Sequence, residues 1–405
     1  MDLKGPKIRC GMFENDGVEF NTGDVVRIVK EDVLGNKERF SVSYKGLYDD
    51  LSIGDRFTFD DGLLGFKVIA KEEPSTLVCE VLNSYLLKNR KGLNAPYIKL
   101  MNEYVSEKDE QDIEFLTKEA VNFVAASFVR RKEDVVEIRR LLAKHNRDDI
   151  RIISKIESPE GVENIDEILE VSNAIMVARG DLGVEVDLTE VPEIQKELIN
   201  KCNLAGKPVI VATHMLDSMQ TNPRPTRAEV SDVFNAILDG ADAVMLSGES
   251  ATGKYPVESV KTQDMIARKA EEILDYEKFA NDFYESSNKS QGDAIGISVA
   301  KSALMLDAKL IVMFSNEFSA VRKLSKFKIK APIIACVNDK NAAHALNGLY
   351  YGINPIYCNK KNIDKEEYAL KLAKKYGVKK GENIIFVGVN EENNKADTMK
   401  IMQVK

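Results

Sequence analysis

Three ionisable side chains are spaced so that they could form a site for phosphoryl chemistry. Lys155 and Glu157 are two residues apart in an apolar run, so on a strand both point to the same face. Asp181 comes directly after Gly180, at the end of the next apolar run. Two carboxylates from neighbouring strands suit Mg²⁺ or Mn²⁺, which complete their coordination with water and substrate oxygens. A simple ion pair is the alternative for Lys155 and Glu157.

The residues around these three side chains narrow the chemistry. The cluster contains neither histidine nor cysteine, which argues against zinc. Gly180 and Gly183 favour a close approach of backbone N–H groups to a carboxylate or phosphate, or simply provide the φ freedom that a helix start needs. Further polar residues follow other apolar runs: Ser127, Arg130, Arg179, Thr213, His214, Ser247 and Glu249.

These residues need a scaffold that brings the ends of several strands together. Apolar strands are predicted at 122–129, 151–157, 173–179, 208–213 and 243–247, with helical stretches between them. Such alternation indicates a parallel sheet, and several units in succession indicate a (β/α) barrel. Catalytic side chains of such barrels lie at the carboxyl ends of the strands.

Two other segments flank or interrupt this pattern. Residues 11–90 alternate short apolar runs with turn signals and predict a small all-β domain. The barrel pattern occupies 91–280, and 1–10 looks like a remnant of an earlier barrel strand. Residues 287–405 predict a doubly wound α/β domain with strands at 310–314, 333–337 and 383–387.

Composition limits the class of protein. The chain has 405 residues, of which 44% are hydrophobic and 30% charged, with a net charge of −8. This acidic balance disfavours nucleic acid as a partner. No apolar run reaches the length of a membrane span, and the five cysteines lack paired spacing, so we expect reduced thiols and a cytoplasmic location.

Several motifs together resemble pyruvate kinase. They are IISKIESPEGV at 152–162, IMVARGDLG at 175–183, AGKPV at 205–209, NPRPTRAE at 222–229 and MLSGE at 245–249. The likeness also covers 1–11, the β segment with Asp60-Asp61-Gly62, and the C-terminal segment. It implies a (β/α)8 TIM barrel with an inserted β-barrel lid and a C-terminal α/β domain. The implied activity is Mg²⁺-dependent phosphoryl transfer from phosphoenolpyruvate to ADP in glycolysis, and the implied assembly is a homotetramer.

The resemblance implies a role for each matching residue. Glu157 and Asp181 would bind the divalent metal, and Lys155 would stabilise the transferring phosphoryl group and the enolate. Gly180 and Asp181, with Thr213, would hold the substrate carboxylate, and Thr213 and Ser247 would carry the proton to the enolate carbon. The residues expected to face the nucleotide are Arg9, Lys91, Asp60 and Asp61.

The segment at 2–9 departs from the pattern of potassium-dependent members. Leu3 stands where those members have threonine, and Lys7 stands where they have glutamate. We expect the ammonium of Lys7, near Asp2, to replace the bound cation, so that the enzyme needs no K⁺. A merely solvated Lys7 is the alternative. In the C-terminal segment, Glu317 disfavours a sugar-phosphate cradle, so we expect no strong activation by fructose 1,6-bisphosphate.

The number of predicted strands leaves the activity open. Five complete barrel strands and a remnant can be placed, so about two βα units and most of a third strand are expected to be missing from the N-terminus. An inactive fragment or regulatory paralogue is therefore one alternative. A metal-dependent lyase acting on pyruvate enolate is another, although such an enzyme needs neither the lid nor the C-terminal domain.

Overall fold

The chain folds as two units whose boundary crosses a strand. The structure, a computed structural model, describes residues 1–286, 290–315, 318–358, 363–390 and 396–405. The first unit comprises residues 1–172 and 177–195, and the second comprises 173–176 and 196–405. The strand that both units share is Ala174–Ala178.

The elements are numbered in chain order. The strands are β1 (Asp2–Leu3), β2 (Gly17–Phe20), β3 (Val25–Val29), β4 (Arg39–Ser41), β5 (Arg56–Phe59), β6 (Leu64–Glu72), β7 (Thr76–Val81), β8 (Tyr85–Lys88), β9 (Leu93–Asn94), β10 (Phe123–Ala126), β11 (Arg151–Ile156), β12 (Ala174–Ala178), β13 (Val209–Ala212), β14 (Ala243–Met245), β15 (Leu310–Phe314), β16 (Ile333–Val337), β17 (Ile353–Tyr357), β18 (Asn383–Val389) and β19 (Ala396–Gln403). The α-helices are α1 (Leu47–Asp50), α2 (Glu107–Thr117), α3 (Lys132–Lys144), α4 (Pro159–Glu163), α5 (Ile165–Val171), α6 (Arg179–Glu185), α7 (Val191–Ala205), α8 (Arg227–Leu238), α9 (Gly248–Ala251), α10 (Pro256–Glu271), α11 (Tyr276–Ser286), α12 (Gln291–Met305), α13 (Phe318–Ser325), α14 (Lys340–Leu346) and α15 (Lys365–Lys375).

The predicted strands of the barrel segment form and run parallel. In the first unit β1 pairs with β10 and β10 with β11, in a register that aligns Leu3 with Ala126 and Ala126 with Ser154. In the second unit β13 pairs with β14. Every residue of β12 and of β13 is buried, which is typical of parallel strands covered by helices on both faces.

Two strand ends differ from the prediction. The strand expected at 122–129 ends at Ala126, because Phe128 adopts a positive φ of 52° that breaks the extended backbone. The strand expected at 243–247 ends at Met245, and Ser247 instead precedes a short helix. In both places the chain leaves the strand before the polar residues, which places them in loops.

The inserted segment forms a mainly antiparallel β structure, in which β3 and β4 pair in parallel, and it has an aromatic core. A six-stranded sheet has the order β4-β3-β7-β6-β5-β9, and β2 pairs separately with β8. The sheet therefore extends to Asn94, slightly beyond the expected limit at residue 90. The core holds five fully buried phenylalanines, whose rings contact one another in edge-to-face, tilted or stacked pairs: Phe20, Phe40, Phe57, Phe59 and Phe66.

The C-terminal segment forms the α/β sheet that its pattern predicts. The order is β17-β16-β15-β18-β19, and only β19 runs antiparallel to its neighbour. The strands β15 and β16 have the predicted limits, and β18 is two residues longer than predicted. The expected domain start at 287 and the effector prediction on Glu317 lie outside the described residues.

The helices of the described chain include none with the length and apolar character needed to cross a membrane.

Candidate active site

Lys155 lies at the centre of a buried cluster formed by three neighbouring strands of the first unit. Its Nζ is 3.0 Å from Glu157 Oε1, 3.5 Å from Asp2 Oδ1 and donates to Ser127 Oγ across 2.8 Å. Burial alone would lower the pKa of Lys155, but the carboxylates of Glu157, Asp2 and Asp181 outweigh it, and the net shift is upward. The ammonium is therefore held charged in a largely dry position. The predicted proximity of Lys155 and Glu157 is observed.

Glu157 is fully buried and only partly satisfied. Its Oε2 accepts a hydrogen bond of 2.7 Å from the Phe128 N–H, the residue whose positive φ ends β10. Its Oε1 forms an ion pair with Lys155 Nζ at 3.0 Å and has no other partner among the described residues. Burial raises the pKa of Glu157, and this outweighs the attraction of Lys155. A buried carboxylate oxygen with an open coordination position suits a hard cation.

Asp181 lies in the first turn of α6, directly after β12, with Gly180 just before it. Its Oδ1 accepts a hydrogen bond of 2.8 Å from Lys7 Nζ, which also lies 3.8 Å from Asp61 Oδ1 on the β domain. The negative charge of Asp181 raises the pKa of both Lys155 and Glu157, so Asp181 belongs to the same cluster. Lys7 thus joins the β domain to the helix that carries a predicted metal ligand.

This arrangement differs from the pairing expected for Lys7. The ion pairs of Lys7 are with Asp181 and Asp61, whereas Asp2 pairs with Lys155. The expectation for Lys7 came from the resemblance to potassium-dependent members at residues 2–9. The backbone turns at Gly5, which has a φ of 65°, so Lys7 reaches the carboxylates of Asp181 and Asp61 while Asp2 reaches the ammonium of Lys155.

The residues expected to face the nucleotide lie around one turn of the β domain. Asp60, Asp61 and Gly62 have successive φ values of 55°, 53° and 87°. Asp60 is held by Lys91 Nζ at 2.8 Å and by the Tyr85 hydroxyl at 2.9 Å, and the hydrogen bond to Asp60 raises the pKa of Lys91. Asp61 is exposed, with 69% of its side-chain surface accessible. The turn therefore presents Asp61 outward and anchors Asp60 inward.

Arg9 lies next to the segment that carries Lys91. Its backbone forms an antiparallel β-bridge with Gly92, and its guanidinium Nη1 donates to the Arg90 carbonyl across 2.8 Å. Arg9 and Lys91 therefore lie on adjacent chain segments. This arrangement is compatible with the prediction that both contact nucleotide phosphates.

Sequence reasoning missed a buried pair, Asn94 and Glu185. Asn94 Nδ2 donates to Glu185 Oε1 across 2.7 Å, and both side chains are buried. The bond ties β9 of the β domain to the last residue of α6. Burial raises the pKa of Glu185 to about 7. The signal was available, because a carboxylate between Val184 and Val186 in an apolar run is unusual unless it has a buried partner.

Thr213 and Ser247 follow two paired strands of the second unit. Thr213 and His214 have φ values of 69° and 54°, which is strained for a β-branched residue, and Thr213 Oγ1 donates to the Ala212 carbonyl. Glu249 is buried and accepts from the N–H groups of Ser247 at 2.8 Å and Leu216 at 3.0 Å. Glu249 thus fixes the two loops that carry Thr213 and Ser247 relative to each other.

The described residues contain no group of three or more His, Cys, Asp or Glu side chains arranged to hold a metal ion. The prediction required only Glu157 and Asp181, with the remaining ligands supplied by substrate and water. The open Oε1 of Glu157 fits this donor set.

Family models match nearly the whole chain. The model described as "Pyruvate kinase, barrel domain" matches residues 1–260, and the model described as "Pyruvate kinase, alpha/beta domain" matches 293–402. These matches cover the parallel strands, the inserted β structure and the C-terminal sheet described above.

Individual proteins agree with the family models. "Pyruvate kinase" of Bacillus licheniformis is 51% identical over 341 residues, covering 84% of this chain and 58% of the relative. That of Geobacillus stearothermophilus is 49% identical over 354 residues, covering 87% and 60%. That of Clostridium perfringens is 46% identical over 392 residues, covering 95% and 82%. The chain thus spans about three fifths of the length of the first two relatives.

A solved structure extends the likeness to the fold. The crystal structure of a pyruvate kinase from Cryptosporidium parvum superposes with a TM-score of 0.92 at 36% sequence identity. The match covers 100% of this chain and 83% of that chain. The expected barrel, inserted β domain and C-terminal α/β domain are confirmed.

Proposed function

The chain belongs to the pyruvate kinase family, and from this premise we propose that the protein transfers the phosphoryl group of phosphoenolpyruvate to ADP, giving pyruvate and ATP in glycolysis. The observation that carries the proposal is the buried Lys155–Glu157 pair with Asp181 beside it. Phosphoryl transfer depends on positioning and charge neutralisation more than on covalent chemistry from the protein. A fixed buried ammonium beside the Oε1 of Glu157 supplies both.

Each residue takes the role that its position supports. Glu157 and Asp181 would hold Mg²⁺ or Mn²⁺, and the bound metal would supply neutralisation of the charge on substrate oxygens. Lys155 stays charged and stabilises the moving phosphoryl group and then the enolate. Gly180 and Asp181 N–H groups, with Thr213, bind the substrate carboxylate.

The remaining steps use loops and the β domain. Thr213 and Ser247 deliver a proton to the enolate carbon, which is general acid work. Arg9 and Lys91 bind nucleotide phosphates, and the exposed Asp61 faces the nucleotide. The β domain excludes water, which would otherwise compete as phosphoryl acceptor.

Lys7 supports an enzyme without a K⁺ requirement. Its ammonium already donates a hydrogen bond to Asp181 Oδ1, so a cation of the protein lies beside the proposed substrate site. Lys7 takes the cation-replacing role predicted for it together with Asp2. Asp2 contributes through its ion pair with Lys155. A cytoplasmic location and a homotetramer are part of the same proposal, and cell fractionation and light scattering test them.

A coupled assay of pyruvate and ATP formation tests the proposal. The variant Lys155→Met should lower kcat by about 10³-fold, since it removes a preorganised charge from the reacting group. Lys118→Met is the matched control, because Lys118 lies on the surface with 66% of its side chain exposed. Pyruvate formation that survives Lys155→Met would contradict the proposal. ATP-independent turnover of pyruvate enolate would instead favour the lyase, and no turnover would favour an inactive chain.

A further inference from the structure

A cavity of about 260 Å³ adjoins the candidate active site and shares Lys7 and Phe128 with its surroundings. Its walls come from two segments that join the β domain to the parallel strands, at 6–8 and 93–102, and from the loops after β10 and β11. Lys155, Glu157 and Asp181 do not line it. Lys7 and Glu185 line its inner part. The cavity therefore occupies the hinge of the β domain.

The wall is mainly apolar and partly aromatic. Its apolar lining includes Ile8, Leu93, Ile98, Phe128 and Pro159. Tyr97 stands at the mouth, where it is 64% exposed. An apolar concave surface of this size with a few convergent polar groups is the usual form of a small-molecule site.

The cations of the wall are already neutralised. Lys7 is paired with Asp181 and Asp61, and Lys99 with Glu163 at the mouth. Arg130 donates to the carbonyls of Leu100 and Asn102 and to Asn102 Oδ1, and lies 3.8 Å from Asp134. These positive charges are thus poorly placed to attract an anion.

Two carboxylates of the cavity wall differ from these cations, because they have no oppositely charged group within ion-pair distance among the described residues. Glu185 is 8% exposed, and its hydrogen-bond donors are the neutral Asn94 amide and the Ala95 backbone N–H. Across the ranges that the structure describes, neither Glu185 nor Glu160 has a cation within ion-pair distance. Lys7, whose ammonium is paired with Asp181, attracts the Glu185 carboxylate only from beyond ion-pair distance. Glu185 therefore still favours a ligand that brings a cation into direct contact with it.

We propose that this hinge cavity binds a small amphipathic amine, with its apolar body between the hinge segments and the loops and its ammonium paired with Glu185. The ring of Tyr97 suits such a cation, whereas the ring of Phe128, which has Lys7 Nζ 5.6 Å from its centroid, suits the apolar body. The site is independent of the proposed phosphoryl transfer, because none of its predicted contacts involves a reacting group.

Three matched probes test the site at pH 8: 2-phenylethylamine, 2-phenylethanol and phenylacetate. Binding is followed through the labelled methyl groups of Ile8 and Ile98, which line the cavity. The amine should bind at least about tenfold more tightly than the alcohol, a difference of about 1.4 kcal/mol, and phenylacetate should bind most weakly. Equal affinity for the amine and the alcohol, or no saturable binding of the amine, would overturn the proposal.

Glu185→Gln separates the charge from the shape of the cavity. Glutamine keeps an oxygen that accepts from Asn94, so the fold is retained while the negative charge is lost. The preference for amine over alcohol should disappear, and binding of the alcohol should stay. Glu258→Gln, on the exposed face of α10 and away from the cavity lining, is the control and should keep the preference. A preference that persists in Glu185→Gln would show that Glu185 does not recognise the ligand.

Discussion

Lys7 Nζ and Asp181 Oδ1 are 2.8 Å apart, although the two residues are separated by 174 positions in sequence. The bond joins a segment at the edge of the β domain to the first turn of α6. A cation of the protein is therefore a permanent neighbour of a predicted metal ligand. This contact gives the potassium prediction a structural basis that the sequence alone could not give.

The first prediction concerns K⁺. In tetramethylammonium salts, adding K⁺ should change kcat by less than about twofold, because Lys7 already supplies the charge. Lys7→Met should lower kcat by about tenfold or more, equivalent to about 1.4 kcal/mol of transition-state stabilisation. The measurement is the coupled assay across a K⁺ titration. A large activation of the unmodified protein by K⁺ would refute the assignment, and Lys118→Met serves as the surface control.

The second prediction concerns the metal. Glu157→Gln keeps an acceptor for the Phe128 N–H but removes the charge, so Mn²⁺ affinity should fall by about tenfold or more with little loss of fold. Titration of free Mn²⁺ by electron paramagnetic resonance measures it without turnover. Glu163→Gln, whose side chain is 66% exposed, should bind Mn²⁺ unchanged. Equal Mn²⁺ affinity of Glu157→Gln and the parent protein would show that Glu157 is not a metal ligand.

The third prediction concerns stability and pH at Glu185. Its pKa rises from 4.5 to about 7 on folding, so between these values the folded state binds more protons than the unfolded state. Stability from this group is full below pH 4.5, falls as pH rises, and is lost above about 7. The difference amounts to about 3 kcal/mol.

Comparison with Glu185→Gln isolates this effect. The variant should gain stability relative to the parent as pH rises from 5 to 8, measured by urea unfolding in the presence of a chelator. Glu163→Gln should show no such change, since that side chain is largely exposed. A parent and a Glu185→Gln variant with parallel pH profiles would show that Glu185 is ionised in both states.

The fourth prediction concerns Glu249. Its two oxygens accept from the N–H groups of Ser247 and Leu216, so Glu249→Ala should leave two buried donors unpaired and cost about 2–5 kcal/mol. Glu249→Gln keeps one acceptor and should cost less. Because Thr213 and Ser247 are held through this residue, exchange of the methyl protons of pyruvate with solvent should slow more than phosphoryl transfer does. Glu258→Gln, on the exposed face of α10, is the control.

The sequence predicted those parts of the site that depend on local spacing. Lys155 and Glu157 lie two apart on a strand, so their common face followed from strand geometry. Thr213 and Ser247 followed from their places after apolar runs. The fold followed from strand–helix alternation, and the family resemblance named its inserted and added domains.

Long-range pairings could not be predicted in the same way. The partner of Lys7 depends on the tertiary contact between the segment at residues 6–8 and α6, whereas the family resemblance associated Lys7 with Asp2. The Asn94–Glu185 bond joins residues 91 positions apart, with no periodicity that links them. The positive φ of Phe128, which aims its N–H at Glu157, is a tertiary constraint on a residue type that seldom adopts it.

The phenylalanine core of the β domain has a consequence for how this family diversifies. Phe20, Phe40, Phe57, Phe59 and Phe66 contact one another. The same apolar cluster also contains Ile8, Leu93 and Ala95, so the packing unit extends from residue 8 to residue 95. We expect chimeras that exchange residues 8–95 between relatives to fold, and their nucleotide preference to change with the exchanged segment, because it then includes Arg9 and Lys91.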